Sequence, residues 1–501
     1  MLDVRCEQPI VDTHSFSRIA APAARNRHDG GVDGFRENGL SLRSARGRWV
    51  VLAATLGSAI ALLDGTVVNV ALRPIGLDLG ASLQQLQWVV NAYMLTLASL
   101  ILVGGSLSDR FGRRRIFLVG IAWFGIASVG CALALSANQL IIARGIQGIG
   151  GALLTPGSLA LIQSLIAEED RARAIGIWSA WSGVAGAVGP LLGGSLVETL
   201  SWRWVFFINV PVAAIVVIIG LARVPESRGT RPEGRFDLLG AALGVVGLGG
   251  ITIALIQTTW EPALVGAAGV IAFLISQART RHPMLPLSIF ANRTFSAVNV
   301  VTFLIYGAMG ALMFFLVLQL QVVAGYSPLQ AGAATMPFTV LMLIFSPRVG
   351  TLMNRTGPRA LMTAGPLIAA AGVAMLATVP SDASYVLHVL PGVVVFGAGI
   401  TLLVTPLTAT VLAAAPASHV GLASGVNNAV ARAASLLTVA AFPALVGLGG
   451  TDYQDPAVFD AGYTPAMWWC TGLLVLAAAI AVVFVPGKIE AQVQPDGTGR
   501  Q

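Results

Sequence analysis

Two charged side chains interrupt long apolar runs. Asp64 lies in LLDGTVVNVAL, residues 62–72, and Arg144 lies in IIARGIQGIGGALLTP, residues 141–156. A charge at the centre of a membrane helix costs about 2.5–3.5 kcal/mol on insertion scales, and such residues are functional by default. About 15 apolar neighbours at roughly 0.3–0.6 kcal/mol each still carry such a helix into a bilayer. Asp64 is therefore a candidate proton-binding group, and Arg144 is its candidate partner.

The positions of the two charges predict that they can meet. Asp64 lies about nine residues from the outer end of its run and Arg144 about six from the start of its own, so their depths differ by only a few ångströms at 1.5 Å per residue. Desolvation favours a neutral carboxyl and a nearby arginine favours the carboxylate. Movement of Arg144, or closure of water access, would therefore make Asp64 alternately bind and release a proton. Two structural alternatives stay open: a static ion pair or bonds from Asp64 to Thr66 or Asn69, and bonds from Arg144 to backbone carbonyls.

The composition places these residues in a membrane protein. Of the 501 residues, 55% are hydrophobic and only 11% are charged, whereas a soluble domain carries about 25% charged residues. The net charge of +7 is thus attributed to membrane topology, and we expect no nucleic-acid partner. The three cysteines are an odd number and imply no disulfide framework.

Runs of about 20 apolar residues, the length that crosses a bilayer core, occur fourteen times. The seventh and eighth runs could instead form a re-entrant hairpin, because a turn, QTTWEPA, joins them at 257–263. The approximate spans are 49–72, 86–107, 116–136, 139–163, 174–197, 204–222, 237–257, 262–278, 296–318, 330–352, 360–379, 385–410, 420–447 and 466–486.

Arginines predict the orientation, since Lys and Arg concentrate in cytoplasmic loops. With the N-terminus inside, the outer loops hold only Arg73 and Arg203. Both termini are therefore expected in the cytoplasm: residues 1–47 as a disordered leader, unless the start codon is assigned too early, and residues 488–501 as a tail. The inner loops hold arginines 110, 113, 114, 115, 171, 173, 228, 231, 235, 279, 281, 293, 355 and 359.

A weak internal repeat predicts two similar halves. GGSLSDRFGRRR at 104–115 and VGTLMNRTGPR at 349–359 share the order of small, leucine, polar, arginine and glycine residues. Two similar halves are the usual plan of a secondary transporter. We expect a six-helix bundle over 48–223, a linker with two inserted helices over 224–294, and a second six-helix bundle over 295–487.

The first of these loops carries a specific pattern. Gly105 and Gly112 allow a tight turn, Asp109 can cap a helix N-terminus, and the arginines hold the loop at the cytoplasmic surface. If the loop served only membrane topology, that role would explain the arginines but not the aspartate and glycines at this spacing. The pattern resembles the signature loop of the major facilitator superfamily. The resemblance implies a charge relay between Asp109 and Arg110 that latches the two halves, within the set Gly105, Asp109, Arg110, Gly112, Arg113 and Arg114.

The fourth and fifth spans extend the resemblance. The run around Arg144 is similar to the fourth-span motif of the superfamily, whose arginine is implicated in proton transfer. GIWSAWSGVAGAVGPLLGG at 176–194 resembles its exporter motif, and its glycines and proline predict a kinked helix that packs closely on a neighbour. The motif residues here are Gly176, Gly186, Gly189, Pro190, Gly193 and Gly194.

Further strings resemble one subfamily, the 14-span drug:proton antiporters of the multidrug exporters. They are LLDGTVVNVALRP, SWRWVFFINVPV at 201–212, RFDLLG at 235–240, LPLSIFANRTFS at 285–296 and GYSPLQAG at 325–332. The resemblance covers about residues 49–486. It implies an all-α integral membrane protein with the major facilitator fold, two six-helix halves plus two inserted helices.

The energy source follows by elimination. The sequence has no GxxxxGK[ST] phosphate loop, its five histidines form no metal spacing, and no large soluble domain is present to hold ATP. We therefore expect no cofactor, no metal and no enzymatic activity, and transport driven by an ion gradient. The expected partners are a small-molecule substrate, protons and the lipid bilayer, with a monomer as the working unit.

The substrate is predicted from the distribution of charge. Asp64 is the one acidic residue deep in a span, whereas Arg432 is buried in the thirteenth run. Arg432 either bonds to carbonyls or to Asn427 and Asn428, or it faces a cavity. We expect a neutral, amphipathic or weakly anionic substrate rather than a dication. The candidate cavity residues are Trp178, Trp181, Phe303, Tyr306, Phe314, Gln319, Asn428 and Arg432.

Three functions are compatible with this pattern. The first is proton-coupled export of hydrophobic drugs or antibiotics across the bacterial plasma membrane by alternating access. The second is export of one endogenous metabolite or self-made antibiotic. The third, a membrane enzyme or sensor on the same scaffold, is disfavoured because the spans show no nucleophile–base pair.

Overall fold

The computed structural model describes residues 39–228, 237–281, 283–415 and 420–487. Within these ranges fourteen helical segments are long and apolar enough to cross a membrane, which confirms the expected number. The expected tail, most of the expected leader, Arg231 and Arg235 lie outside the described residues.

The helices are α1 Ala45–Leu79, α2 Leu83–Phe111, α3 Arg113–Ala132, α4 Ala137–Leu165, α5 Glu168–Thr199, α6 Trp204–Phe207, α7 Asn209–Arg223, α8 Leu238–Gln257, α9 Glu261–Arg279, α10 Arg293–Val322, α11 Pro328–Ala334, α12 Met336–Thr356, α13 Pro358–Leu376, α14 Leu390–Ala413, α15 Val420–Leu445 and α16 Pro456–Phe484.

Helix α1 begins earlier than the sequence suggested. The side chain of Ser44 accepts a hydrogen bond from Gly47 N at 3.0 Å and caps the helix. The preceding residues are also held, because Leu40 pairs its backbone with Leu165 and Ala167 at 2.7 and 3.1 Å. The last part of the expected disordered leader, residues 39–47, is therefore ordered, and Arg73 lies inside α1 rather than in a loop.

Serine caps explain the short turns at one end of the bundle. Ser82 and Ser327 each form a capping box with the glutamine three residues later, which satisfies free backbone N–H groups at the start of α2 and α11. Gly80 ends α1 with φ of 59°, a left-handed conformation that glycine adopts without strain. Long helices are thus joined by turns of a few residues.

The helices pack in two groups with a hairpin between them. In the first group α4 packs against α2 and α3, and α5 packs against α1. In the second, α13 packs against α14, and α10 packs against α15 and α16. The hairpin α8–α9 contacts both groups, because α8 touches α2 and α15. We call α1–α7 the N-terminal half and α10–α16 the C-terminal half.

The hairpin consists of two full-length helices rather than a re-entrant loop. Helices α8 and α9 have 20 and 19 residues, enough to cross a bilayer core. They approach to backbone contact through glycines, since a Cβ on Gly250 would lie 2.6 Å from Gly266 N and one on Gly269 would lie 2.8 Å from Gly247 N. Close packing of small residues is a common way to associate helices in lipid.

The two ends of the bundle differ in charge. The turns at 112, 166–167 and 357 belong to the arginine-rich end, and the turns at 80–82, 200–203 and 323–327 belong to the opposite end. The first end carries arginines 110, 113, 114, 115, 171, 173, 355 and 359.

Hydrogen bonds close the two halves onto each other at the opposite end. They connect side chains of one half to backbone carbonyls of the other, so the closed geometry is fixed by directional contacts. Gln87 Nε2 donates to Val439 O at 2.7 Å, Gln321 Nε2 donates to Val70 O at 2.9 Å, and Tyr453 OH donates to Ala81 O at 2.8 Å.

Candidate functional site

The structure brings Asp64 and Arg144 into direct contact. Arg144 Nη1 lies 2.6 Å from Asp64 Oδ2, and the two side chains are 1% and 0% exposed, respectively. Asp64 Oδ1 accepts two further bonds, from Gln147 Nε2 at 2.9 Å and Asn209 Nδ2 at 3.0 Å. All three donors supply N–H groups, and an ionised carboxylate has acceptor sites for all of them. This donor set fits the charged form of Asp64.

Arg144 is held by hydrogen bonds and by aromatic rings. Its Nε donates to Val89 O at 3.0 Å, and Nη1 also donates to Gln147 Oε1 at 2.6 Å. The guanidinium carbon lies 4.4 Å from the centre of the Tyr93 ring and 5.7 Å from that of Phe206. These aromatic faces attract the cation and enclose it.

Ser128 on α3 connects the neutral members of the network. Its hydroxyl oxygen accepts from Gln147 Nε2 at 2.9 Å and from Asn209 Nδ2 at 3.3 Å, while it donates to Phe124 O at 2.8 Å. Four helices, α1, α3, α4 and α7, thus contribute to one buried polar cluster. Such a cluster is stable only when its members are satisfied. We call Asp64, Ser128, Arg144, Gln147 and Asn209 the buried network.

Three members of this network were missed by sequence reasoning. Gln147 lies three residues after Arg144 on the same helix face, so the spacing in RGIQG carried a signal. Asn209 is the only polar uncharged residue in VFFINVPV, and its amide was a similar signal. Ser128 carried none, because serine is common in membrane helices and bonds to its own backbone.

The loop at the arginine-rich end differs from the expected arrangement. Asp109 lies in the last turn of α2 and accepts from Arg113 at 2.7–2.8 Å, so it neither caps a helix nor shows a bond to Arg110 in the described contacts. Arg110 places its guanidinium 6.0 Å from the Phe111 ring. Gly105 lies inside α2, and Gly112, with φ of 108°, is the whole turn. The two helices leave no room for a longer loop, which is why the aspartate remains helical.

Glu226, just beyond α7, supplies the missing cap. Its carboxylate accepts from the backbone N–H groups of Arg114 at 3.0 Å and Arg115 at 3.2 Å. Arg113 N donates to Ser227 O at 2.8 Å, and the Arg114 side chain donates to Val224 O at 3.0 Å. A carboxylate at a helix N-terminus is favourable because the helix dipole and free N–H groups point at it. The segment after the sixth span therefore holds the loop in place.

The glycines of α5 divide into two groups. Near the opposite end they are in tight contact: a Cβ on Gly189 would meet Thr66, and one on Gly193 would lie 3.0 Å from Val67 Cγ2. Further along, Gly176 has nothing within 4 Å of such an atom, and Gly186 has only Leu62 at 4.0 Å. The close-packing role expected for the motif thus fits its second part.

The end of that motif contacts the other half of the molecule. A Cβ on Gly194 would lie 2.6 Å from Leu329 Cα, and Pro190 O is in close contact with Gly332. Nearby, Glu198 accepts from Ser327 Oγ at 2.7 Å. The second part of the exporter motif therefore forms part of the closed contact at the opposite end.

The aromatic residues proposed for the cavity lie in different environments. Trp181 is 61% exposed on α5, whereas Trp178 is partly buried and donates from Nε1 to Ser58 Oγ at 2.9 Å. Phe303 packs on the core, and Tyr306 is partly exposed. Phe314 is instead fully buried, with its ring 5.5 Å from that of Phe315.

The polar residues proposed for the cavity also lie in different environments. Gln319 is fully buried and donates to Asp460 Oδ1 at 2.5 Å, so, like Phe314, it lies within the C-terminal half instead of facing an open cleft. Asn428 is exposed and bonds to Ser424 O at 3.0 Å. Arg432 lies one turn further along α15. Sequence periodicity could not show that Phe314 and Gln319 face the core rather than the cleft, because α10 is apolar on all sides.

Comparison with known proteins agrees with this architecture. The sequence profile of the Major Facilitator Superfamily matches residues 54–439. The chain is 36% identical to the puromycin resistance protein of Streptomyces alboniger over 89% of this chain and 92% of that one. It is 36% identical to the methylenomycin A resistance protein of Bacillus subtilis over 82% and 90%.

A solved structure shows the same fold. The inward-open xylose transporter from E. coli superposes with a TM-score of 0.60 over 87% of this chain and 96% of that one, at 18% identity. The chain belongs to the major facilitator superfamily, among its drug- and antibiotic-resistance exporters.

Proposed function

We propose that this protein is a proton-coupled antiporter that exports hydrophobic or amphipathic small molecules across the bacterial plasma membrane. The observation that carries the proposal is the buried ion pair of Asp64 and Arg144, enclosed by four helices. Removing one partner from a buried pair costs about 3–5 kcal/mol, because the other charge is left uncompensated. Ionisable residues within membrane spans are functional by default, and we therefore assign this pair to proton coupling.

Proton exchange is proposed to follow from rearrangement of the pair. The network stabilises the carboxylate through three N–H donors. When helix movement withdraws Arg144, the desolvated carboxylate would be left with neutral partners, and protonation would become favourable. Return of Arg144 would release the proton. Asp64 is thus the proton carrier, and Arg144 is the group that controls it.

The orientation proposed from the arginines makes the opposite end the external one. Helices α5 and α12 contact each other, yet towards the arginine-rich end side chains on both, such as Trp181, Leu343 and Phe345, are exposed. We interpret this state as closed to the outside and open to the cytoplasm. The loop of Asp109, Arg110 and Arg113 is proposed to act as a latch that changes partners when the cytoplasmic end closes. Both termini would then be cytoplasmic, and a monomer contains every residue the mechanism uses.

A dedicated exporter of one antibiotic or metabolite is the second candidate. It is favoured by the names of the relatives, which specify resistance to puromycin or methylenomycin A, and by a cephamycin export protein of Amycolatopsis lactamdurans that is 34% identical over 90% of this chain. Biosynthetic genes beside this one would favour the dedicated role.

The decisive experiment compares wild type with Asp64→Asn in an efflux-deficient host and in inverted membrane vesicles. We expect the variant to express but to lose proton-driven uptake into vesicles. Asp78→Asn is the matched control, because it makes the same change in the same helix at a partly exposed ion pair with Arg203. Undiminished proton-driven transport by Asp64→Asn would refute the coupling role. A panel of unrelated drugs in the same cells separates multidrug from single-substrate export.

A further inference from the structure

Arg432 carries a charge that the described residues do not compensate. It lies on α15, within the span Gly421–Leu445, and its Nε is enclosed without a hydrogen-bond partner. The described part of the chain shows no salt bridge or hydrogen bond to its guanidinium. An arginine cannot shed its proton, and an ionised group in a span needs a partner or a watery cavity.

The contacts between α2 and α15 place Arg432 at the junction of the two halves. Gln87 bonds to Val439 O at 2.7 Å, and at the other end of the same contact a Cβ on Gly425 would lie 3.0 Å from Leu102 Cδ2. The helices therefore run antiparallel, and Arg432, seven residues from both Gly425 and Val439, lies on the same face of α15 midway between these two points. The separation of the points, about 15 residues or roughly 22 Å along a helix, puts it deep in the bilayer.

Unpaired polar groups lie on the facing helix. Asn91, one turn along α2 from Gln87 on the same side, is completely buried, and both its amide nitrogen and its oxygen lack a partner among the described residues. The hydroxyl of Tyr93 also lacks a partner among the described residues, but it lies on the side of α2 that faces α4, beside Gly151. A buried unsatisfied polar group costs about 1–3 kcal/mol, so an unpaired amide and an unpaired guanidinium nitrogen at one junction point to a ligand that satisfies them.

The nearest buried acid cannot neutralise Arg432. Asp64 is occupied by Arg144, Gln147 and Asn209, and the ring of Tyr93 covers Arg144. The charge of Arg432 is therefore left to neutral groups, among which the amide of Asn91 offers unpaired N–H donors. The junction is therefore net positive and rich in hydrogen-bond donors.

We propose that Arg432, with Asn91 on the facing helix, binds an anionic oxygen group of the exported substrate, such as a carboxylate. A guanidinium presents several N–H groups that match the two oxygens of a carboxylate, and such charged bonds are about twice as strong as neutral ones. This inference rests on the proposed export function and narrows its substrate class to amphipathic anions.

The test uses three compounds with the same aromatic ring: naphthylacetate, its near-isosteric carboxamide naphthylacetamide, and the cation naphthylmethylamine. Equilibrium binding of each radiolabelled compound is measured to the purified full chain in nanodiscs, with empty nanodiscs as the blank. Wild type is compared with Arg432→Gln and Arg432→Lys. We expect wild type to prefer the acid, Arg432→Gln to weaken binding of the acid about tenfold or more with binding of the amide changed less than about twofold, and Arg432→Lys to retain part of the preference.

Retained amide binding shows that Arg432→Gln is folded. Three results would overturn the proposal. They are equal affinity of wild type for the acid and the amide, no measurable binding of either compound, and equal loss of binding of both compounds in Arg432→Gln. Proton-driven uptake of the same compounds into inverted vesicles tests the export function separately. A wild type that prefers the acid in nanodiscs but does not respond to the proton gradient would refute antiport while supporting the anion site.

Discussion

Substitution of Gly194 by alanine is expected to open the closed end of the molecule. The added Cβ would lie 2.6 Å from Leu329 Cα and from Pro328 O, and backbone atoms cannot rotate away as a side-chain end can. Overpacking of this kind costs about 1–3 kcal/mol. Because α5 and α11 belong to different halves, the cost falls on the closed state alone, and it corresponds to a shift of about 5- to 150-fold between conformations.

Gly176→Ala is the matched control for this prediction. It makes the same change in the same helix, but no atom lies within 4 Å of its Cβ. Alanine raises helix stability over glycine by about 1 kcal/mol in both variants, so their difference isolates the contact between the halves.

The conformations are measured with spin labels at Leu200→Cys and Leu445→Cys, two exposed positions at the opposite end. The native Cys131 and Cys470 are buried, and Cys6 is replaced by serine. Pulsed electron spin resonance should show longer distances more populated in Gly194→Ala and an unchanged distribution in Gly176→Ala. Identical distributions in the two variants would refute the argument that this glycine closes the outer end.

Three further changes test other contacts. Asn209→Ala should lower the free energy of unfolding by about 1.5–3 kcal/mol, because the Asp64 carboxylate loses a buried donor; a melting temperature equal to that of wild type would contradict the network. Glu226→Gln should destabilise the start of α3 by about 0.3–1 kcal/mol, with a smaller difference in melting temperature at high salt; a loss independent of salt would exclude the charge effect. Gly250→Val should separate α8 from α9, raising protease sensitivity at 258–260, whereas Gly244→Val, which has nothing within 4 Å, should not.

The sequence predicted those features that depend on length and depth. Run length gave the fourteen spans, and the depth argument placed Asp64 and Arg144 within reach of each other. Prediction from the sequence failed for contacts that depend on tertiary packing. The pairing of Asp109 with Arg113 and the cap by Glu226 depend on where the chain runs after α7. Phe314 and Gln319 were assigned to the cavity because an all-apolar helix shows no periodicity that separates its core face from its cleft face.

The enclosure of Asp64 constrains how substrate and proton are coupled under the proposed mechanism. Direct competition for the carboxylate would require the substrate to displace Arg144, which is held by Val89 and Gln147 and covered by Tyr93. Because the ring of Tyr93 covers Arg144, an anion bound at Arg432 has no direct contact with the carboxylate. An anion that neutralises Arg432 weakens the positive field near the buried network, and a weaker positive field cannot by itself drive the proton release that antiport requires. Under the proposed mechanism, coupling therefore has to run through the movement that withdraws and returns Arg144, for which one carboxylate deep in the membrane is sufficient.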